Sequence, residues 1–243
     1  MDSQLEQWRQ TLEHMPPQMI LAWARETFGE KLILGSAMGP EAQIITHFIA
    51  TEKLDIPVFT VDTGRVFEET YDLIARTNHK YDLRIKVFFP DSTDLEMLAH
   101  RLGPNPFLNN VEDRKECCAM RKVFPLERAL EGMNAWMTGL RRDQSVTRNN
   151  AGVVEWDAKH GLVKINPLVN WSSEKVWDFI HANDVPYNEL HDKGFPSIGC
   201  KPCTRAIQPG EDIRAGRWWW ESPEHKECGI HIVDGKVIRR SAS

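Results

Sequence analysis

"KLILGSAMGPE" (Lys31–Glu41) carries the reading of the fold. Leu32, Ile33 and Leu34 form a short apolar run of the length of a buried strand. Gly35 to Gly39 make a polar, Gly-bearing turn, and Pro40 suits the first turn of a helix. Backbone N–H groups at such a helix start can bind phosphate. No Gly-Lys-Ser/Thr follows, so this is not a Walker loop, and taken alone it equals an ordinary strand–helix turn. Working outward, four more runs read as strands: 56–62, 84–90, 135–140 and 163–168, with 31–36 as the first. Helical patterns occupy 17–28, 40–53, 66–80, 92–101, 122–131 and 173–183. The alternation predicts a parallel sheet with helices on both faces. Ligands then sit at the C-terminal ends of the strands, near a topological switch point. Besides the Gly35–Glu41 loop, Asp62-Thr63-Gly64-Arg65 and Arg141-Arg142-Asp143-Gln144-Ser145 reach that edge. The three loops together would make an anion and nucleotide pocket, although "DTGR" also suits plain turn chemistry.

At 243 residues, 41% hydrophobic and 27% charged, the chain is long enough for one α/β domain and an appendage. We divide it into a nucleotide-binding domain, 1–210, and a C-terminal segment, 211–243, where "RAGRWWWE" and its neighbours lose any clear period. A formal charge of −5 disfavours bulk nucleic-acid binding but leaves room for a local basic patch. The polar start lacks a signal-peptide pattern, and no apolar run reaches membrane-helix length. The expected setting is the cytosol, where cysteine sets more often bind metal or catalyse than form disulfides.

Four of the five cysteines form two couples, Cys117–Cys118 and Cys200–Cys203. Cys-x-x-Cys lets two thiolates face one metal or cluster, and the adjacent pair supplies two more. Side-by-side ligands are awkward around a single tetrahedral zinc ion. A cubane with one iron per cysteine accepts them more readily, which favours an iron–sulfur cluster. A redox dithiol at Cys200 and Cys203, or four unrelated buried thiols, are the plainer alternatives. Cys228 stands apart in "HKECGIH" (225–231). Lys226 and His231 would help to lower its pKa while Glu227 opposes them, and thiolate is the nucleophilic form. A spare surface thiol is the bland reading. Arg121-Lys122, Arg141-Arg142, Arg214 and Arg217 are candidate anion partners, each equally consistent alone with solvated surface charge. The three tryptophans 218–220 also suit a hydrophobic anchor for the last segment.

Together, "VDTGR" (61–65), "ECCAMRKVFPLERAL" (116–130), "GLRRDQSVTR" (139–148), "INPLVNWSSEKVW" (165–177), "PSIGCKPCTR" (196–205), "RAGRWWWE" (214–221) and "HKECGIH" resemble the assimilatory adenylyl-sulfate (APS) reductases. The resemblance spans roughly residues 31 to 231. It implies an adenine nucleotide α-hydrolase-like (PP-loop) fold and a [4Fe–4S] cluster on Cys117, Cys118, Cys200 and Cys203. It further implies that Cys228 attacks the sulfur of APS, giving S-sulfocysteine and AMP, and that reduced thioredoxin then frees sulfite. Lys122 would bridge cluster and substrate, Arg214 and Arg217 would clamp phosphate and sulfate, and Arg141 and Arg142 would share that work. Asp62, Thr63, Gly64 and His231 complete the implied substrate contacts. Of the nucleotide loop, Ser36, Gly39 and Glu41 carry over. Met38 stands where a hydroxyl is common, and Ala42 replaces a common acid.

That departure keeps open a reductase of 3′-phosphoadenylyl sulfate (PAPS), or dual specificity, although most PAPS reductases lack the four cluster cysteines. A PP-loop ATP pyrophosphatase of the tRNA-thiolating kind would need an RNA-binding surface, against the acidic charge. A nucleotide-binding iron–sulfur sensor would leave Cys228 idle. A homo-oligomer is compatible with the sequence and not specified by it.

Overall fold

The computed structural model describes residues 2–144 and 148–222. Six strands, β1 (Leu32–Gly35), β2 (Val58–Val61), β3 (Lys86–Phe88), β4 (Ala135–Met137), β5 (Val154–Asp157) and β6 (Leu162–Ile165), form one sheet. Their order is β3-β2-β1-β4-β6-β5, parallel except for the edge pair β5–β6. Sequence alternation sends Leu32 and Leu34 of β1, Ala135 and Met137 of β4, and Val163 and Ile165 of β6 into one core. Ile33, Phe59, Trp136 and Leu162 fill a second core on the other face. Burial on both faces is why these strands read as continuous apolar runs.

Among the described residues, eight α-helices accompany the sheet: α1 (Asp2–Leu12), α2 (Pro17–Phe28), α3 (Pro40–Thr51), α4 (Glu68–Tyr81), α5 (Ser92–Leu102), α6 (Val111–Cys118), α7 (Phe124–Leu130) and α8 (Ser173–Ala182). Local chemistry sets several starts. Asp91 accepts hydrogen bonds from Thr93 N and Asp94 N at α5, and Ser172 accepts from Lys175 N at α8. Three elements go beyond the expected set: α1, α6 and β5. α1 has only three apolar residues facing inward, and β5 is a four-residue antiparallel edge strand, which no crossover pattern announces.

β1 and β4 are neighbours with successive strands running outward on either side, so the switch point lies between their C-terminal ends. The chain after β4 passes close to the start of α3 there. A Cβ on Gly139 would lie 2.8 Å from Glu41 Cβ, so glycine permits the approach.

α6 and α7 are one helical run interrupted by a π-helical turn, Ala119–Val123. The Phe124 N–H bonds to Ala119 O, five residues back. Pro125 explains the turn, because it has no N–H to give to Arg121 O and its ring crowds that carbonyl.

At the other edge, Asp157 accepts from Trp136 Nε1 at 3.1 Å and meets His160 Nδ1 at 2.7 Å across the β5–β6 turn. Burial pushes the Asp157 carboxyl up, but the hydrogen bonds and charge of His160 hold it below the usual value of 3.8. A depressed carboxyl stabilises the fold above its unfolded pKa and loses that contribution as pH falls through the folded one. Asp157→Asn should therefore cost about 1–2 kcal/mol at neutral pH. The gap between variant and parent should close in urea melts as the pH drops below 3.8.

Candidate active site

A pocket of about 300 Å³ opens at the switch point, walled by Gly35 and Phe59 on the sheet side and by all four paired cysteines at the other end. A second chamber, about 560 Å³, lies across the Ala37–Glu41 loop and is lined by Arg141, Trp177 and His191. Ser36 is buried at the base of the loop, its hydroxyl accepting from Met38 N at 3.1 Å. Met38 adopts a left-handed φ of 56°, folding the loop sharply before α3.

The π-helical turn decides what faces the first pocket. Cys117, Cys118, Arg121 and Lys122 all line it. Arg121 donates to Thr63 O at 2.8 Å, and Thr63 Oγ1 lies 3.2 Å from Cys200 Sγ. Lys201 N donates to Arg65 O at 2.7 Å, fastening the Cys-x-x-Cys turn to the "DTGR" loop. None of the four cysteines is in a disulfide. Burial, then the neighbouring cysteines, push the Cys203 thiol up to about 12, with Arg217 opposing. Burial likewise raises Cys117, against the charge of Arg121.

The donor set, four cysteine sulfurs at one end of a pocket, is of the chemical kind that holds a sulfur-ligated cluster. Among the described residues, no three His, Cys, Asp or Glu side chains converge on one ion-sized point. The sulfurs nonetheless share one packed group with Leu98, Phe107 and Trp218. The Trp218 indole Nε1 is buried there without a hydrogen-bond partner among the described residues. A soft, electron-rich group bound by the four thiolates would offer it an acceptor.

Arg217 is 8% exposed and lines the same pocket, its Cζ lying 4.7 Å from the Trp218 ring. Among the described residues no carboxylate pairs with it, and its Nε is buried without an acceptor. A side chain on Gly199 would overlap its guanidinium, so glycine is required for the close approach. Arg214 lines both chambers, as do Gly39, Glu41 and Arg148.

Several expected contacts fall elsewhere. Arg142 turns outward to Glu13 at 2.6 Å and to Ala151 O at 2.7 Å, away from both chambers. Arg141 reaches the second chamber, but its guanidinium is occupied by Glu41 (2.8 Å), Asp143 (3.2 Å) and Trp171 O (3.0 Å). Glu41 is thereby tied to Arg141 and to Gln144 Nε2, 3.0 Å away. Asp62 shapes its own loop, accepting from Gly64 N and from the Tyr71 hydroxyl at 2.7 Å each, and neither it nor Gly64 is on the pocket wall. Arg148, quoted within "GLRRDQSVTR" but given no role there, does line the pocket. Cys228 and His231 lie outside the described residues.

Sheet order, loop and pocket define an adenine nucleotide α-hydrolase-like protein, a nucleotide-binding α/β class. Residues 31–206 match the family model of the phosphoadenosine phosphosulfate reductase domain, and the chain belongs to that family. It is 50% identical over 202 residues to an adenosine 5′-phosphosulfate reductase of Allochromatium vinosum, covering 83% of this chain and 79% of the relative. A protein of the same name from Neisseria meningitidis serogroup B is 50% identical over 197 residues, covering 81% and 80%. Among solved structures, a phosphoadenylyl-sulfate (PAPS) reductase from Candida auris, in complex with phosphate, superposes with a TM-score of 0.72 at 32% identity, covering 85% of this chain and 98% of that one. The FMN adenylyltransferase of Candida glabrata shares the fold alone, with a TM-score of 0.55 at 14% identity, covering 98% and 79%. Among the described residues, no helix is long and apolar enough to cross a membrane.

Proposed function

We propose that the protein reduces adenylyl sulfate to sulfite and AMP in assimilatory sulfate reduction, in the cytosol, with reduced thioredoxin as the electron donor. The observation that carries this reading is Arg217, a buried guanidinium without a carboxylate partner among the described residues, on the wall of the pocket at the switch point. An uncompensated buried charge is costly, so the site calls for an anionic ligand. Lys122, Arg148 and Arg214 line the same pocket and add to its positive field. The names of the relatives supply the choice of nucleotide.

In the first step the Cys228 thiolate attacks the sulfur of APS. A Cys–S bond forms, the S–O bond to the phosphate breaks, and AMP leaves with the electron pair. Arg217 and Arg214 stabilise the charge that shifts onto the departing phosphate. In the second step a thioredoxin thiolate attacks the Cys228 sulfur and expels sulfite with two electrons. The second thioredoxin thiol then closes its disulfide and returns Cys228 as a thiol. The segment that carries Cys228 meets two partners in turn, while 1–210 holds the nucleotide together with Arg214 and Arg217 from the start of 211–243. Cys117, Cys118, Cys200 and Cys203 would hold a [4Fe–4S] cluster, which supplies structure and local charge, since the dithiol provides both electrons. Thr63 and Arg121 hold the cysteine end against the "DTGR" loop.

Acceptance of PAPS as well is the second reading, favoured by the roomy chamber beside the altered Ala37–Glu41 loop. Sulfite release with reduced thioredoxin, measured without oxygen, separates the two. On the first reading APS should exceed PAPS in kcat/KM by about 100-fold, the scale of an imperfectly paired polar group in a binding site. Equal rates would establish dual specificity, and no sulfite from either would end the reductase reading.

A further inference from the structure

Arg114 is fully buried on α6, with no place in the chemistry above. It donates from Nε to Glu221 Oε1 at 2.9 Å and from Nη2 to Glu221 Oε2 at 2.7 Å, a two-pronged pair across 107 positions of chain. Its Cζ also lies 4.7 Å from the Trp218 ring, the same ring that Arg217 approaches to 4.7 Å. Trp218 itself has a left-handed φ of 39°, a strained conformation for a bulky residue. That strain persists because the surroundings over-determine it: Trp218 N bonds Cys203 O, and Glu221 N bonds Trp218 O at 2.8 Å. So two cations meet one indole, one neutralised by Glu221 and one left for a ligand.

We propose that Arg114 is a positioning residue: by clamping Glu221 and lying against Trp218 it fixes the ring that aims the Arg217 guanidinium into the nucleotide pocket. The inference rests on the reading of Arg217 as the group that receives the sulfo end of the substrate. Arg114 thus links two things: the indole behind Arg217, and Glu221, seven positions before Cys228. An arginine suits this task because its flat fork can make a bidentate pair and lie against a ring at once, which lysine cannot.

The test uses AMP and adenosine 5′-diphosphate as probes, the terminal phosphoryl of the latter standing where the sulfo group would. Anaerobic calorimetry on the full chain gives the ratio of the two affinities, with the visible absorbance of the protein recorded alongside. The parent should prefer the diphosphate by about tenfold, which is ~1.4 kcal/mol. Arg114→Met combined with Glu221→Leu leaves no orphaned buried charge, so it should fold. It should reduce the preference to about twofold, the size of a lost ring contact, while AMP binds as before. Trp218→Leu, which spares the Arg114–Glu221 pair, should do the same and decides the matter if the double variant fails to fold. Arg114→Lys should lose part of the preference. A merely structural role would weaken both nucleotides alike. If Arg217→Ala abolishes the preference but the other variants keep it, the positioning role is wrong and the reading of Arg217 stands. If the parent shows no preference, or Arg217→Ala retains it, that reading fails and the inference falls with it.

Discussion

On the proposed reading, Cys228→Ser should keep the visible absorbance that a [4Fe–4S] cluster would give and lower sulfite formation by at least about 10³-fold, the scale of losing a nucleophile. Cys203→Ser loses both absorbance and activity. The difference follows from where the two sulfurs stand. Cys203 is 7% exposed and packed with Cys117, Phe107 and Trp218. Its thiol is pushed up to about 12, first by burial, so it is a poor nucleophile, and its sulfur suits a ligand whose proton a bound metal would displace. Cys228 sits in a polar string between Glu227 and Gly229, with Lys226 and His231 nearby in sequence. Iron content, visible spectra and sulfite assays on the two variants provide the check. Equal loss of both properties in both variants would contradict the division of labour between the paired cysteines and the single one.

Arg217→Ala should cost about 10²–10³ in kcat/KM, ~3–4 kcal/mol, comparable to removing one preorganised donor from a site that stabilises developing charge. Two features make the effect large. The guanidinium is already desolvated, and without a carboxylate partner among the described residues it has no competing attachment. Its position is held by the absence of a side chain at Gly199 and by the Trp218 ring, so it needs little rearrangement when the anion arrives. Much of the loss should fall on kcat, because charge grows on the leaving phosphate as the S–O bond breaks. Arg142→Ala makes the contrast, since Glu13 and Ala151 O hold that side chain outside both chambers. A steady-state comparison in which Arg142→Ala proved as damaging as Arg217→Ala would show that the clamp is misassigned.

The difference between Arg141 and Arg142 also marks what the sequence could not convey. Two adjacent arginines look alike on paper. Their directions are set by Glu41 on α3 for one and by Glu13, just after α1, for the other. α1 escaped notice because three inward apolar residues in an otherwise polar stretch make a faint helical pattern. The strands around the switch point were legible for the opposite reason: buried on both faces, they are apolar along their length, and the loops after β1 and β2 carry the glycines and polar residues of a ligand edge. The cysteine couples were legible from spacing. The π-helical turn was not, although Pro125 was its cause in plain view, because a proline at the fourth position of the expected helix 122–131 reads equally as a start, a kink or a stop. The contact of Arg114 with Trp218 and Glu221 left no local trace either. It joins residues about a hundred positions apart, and only the folded chain brings them together.

The central claim is covalent chemistry at Cys228. Protein prepared without oxygen, mixed with APS and no reductant, should gain the mass of one sulfonate per chain, released AMP should match it mole for mole, and peptide masses should locate the adduct on Cys228. Adding reduced thioredoxin should then remove the adduct and yield sulfite. An adduct on any of Cys117, Cys118, Cys200 or Cys203, or AMP released without an adduct, would contradict the account.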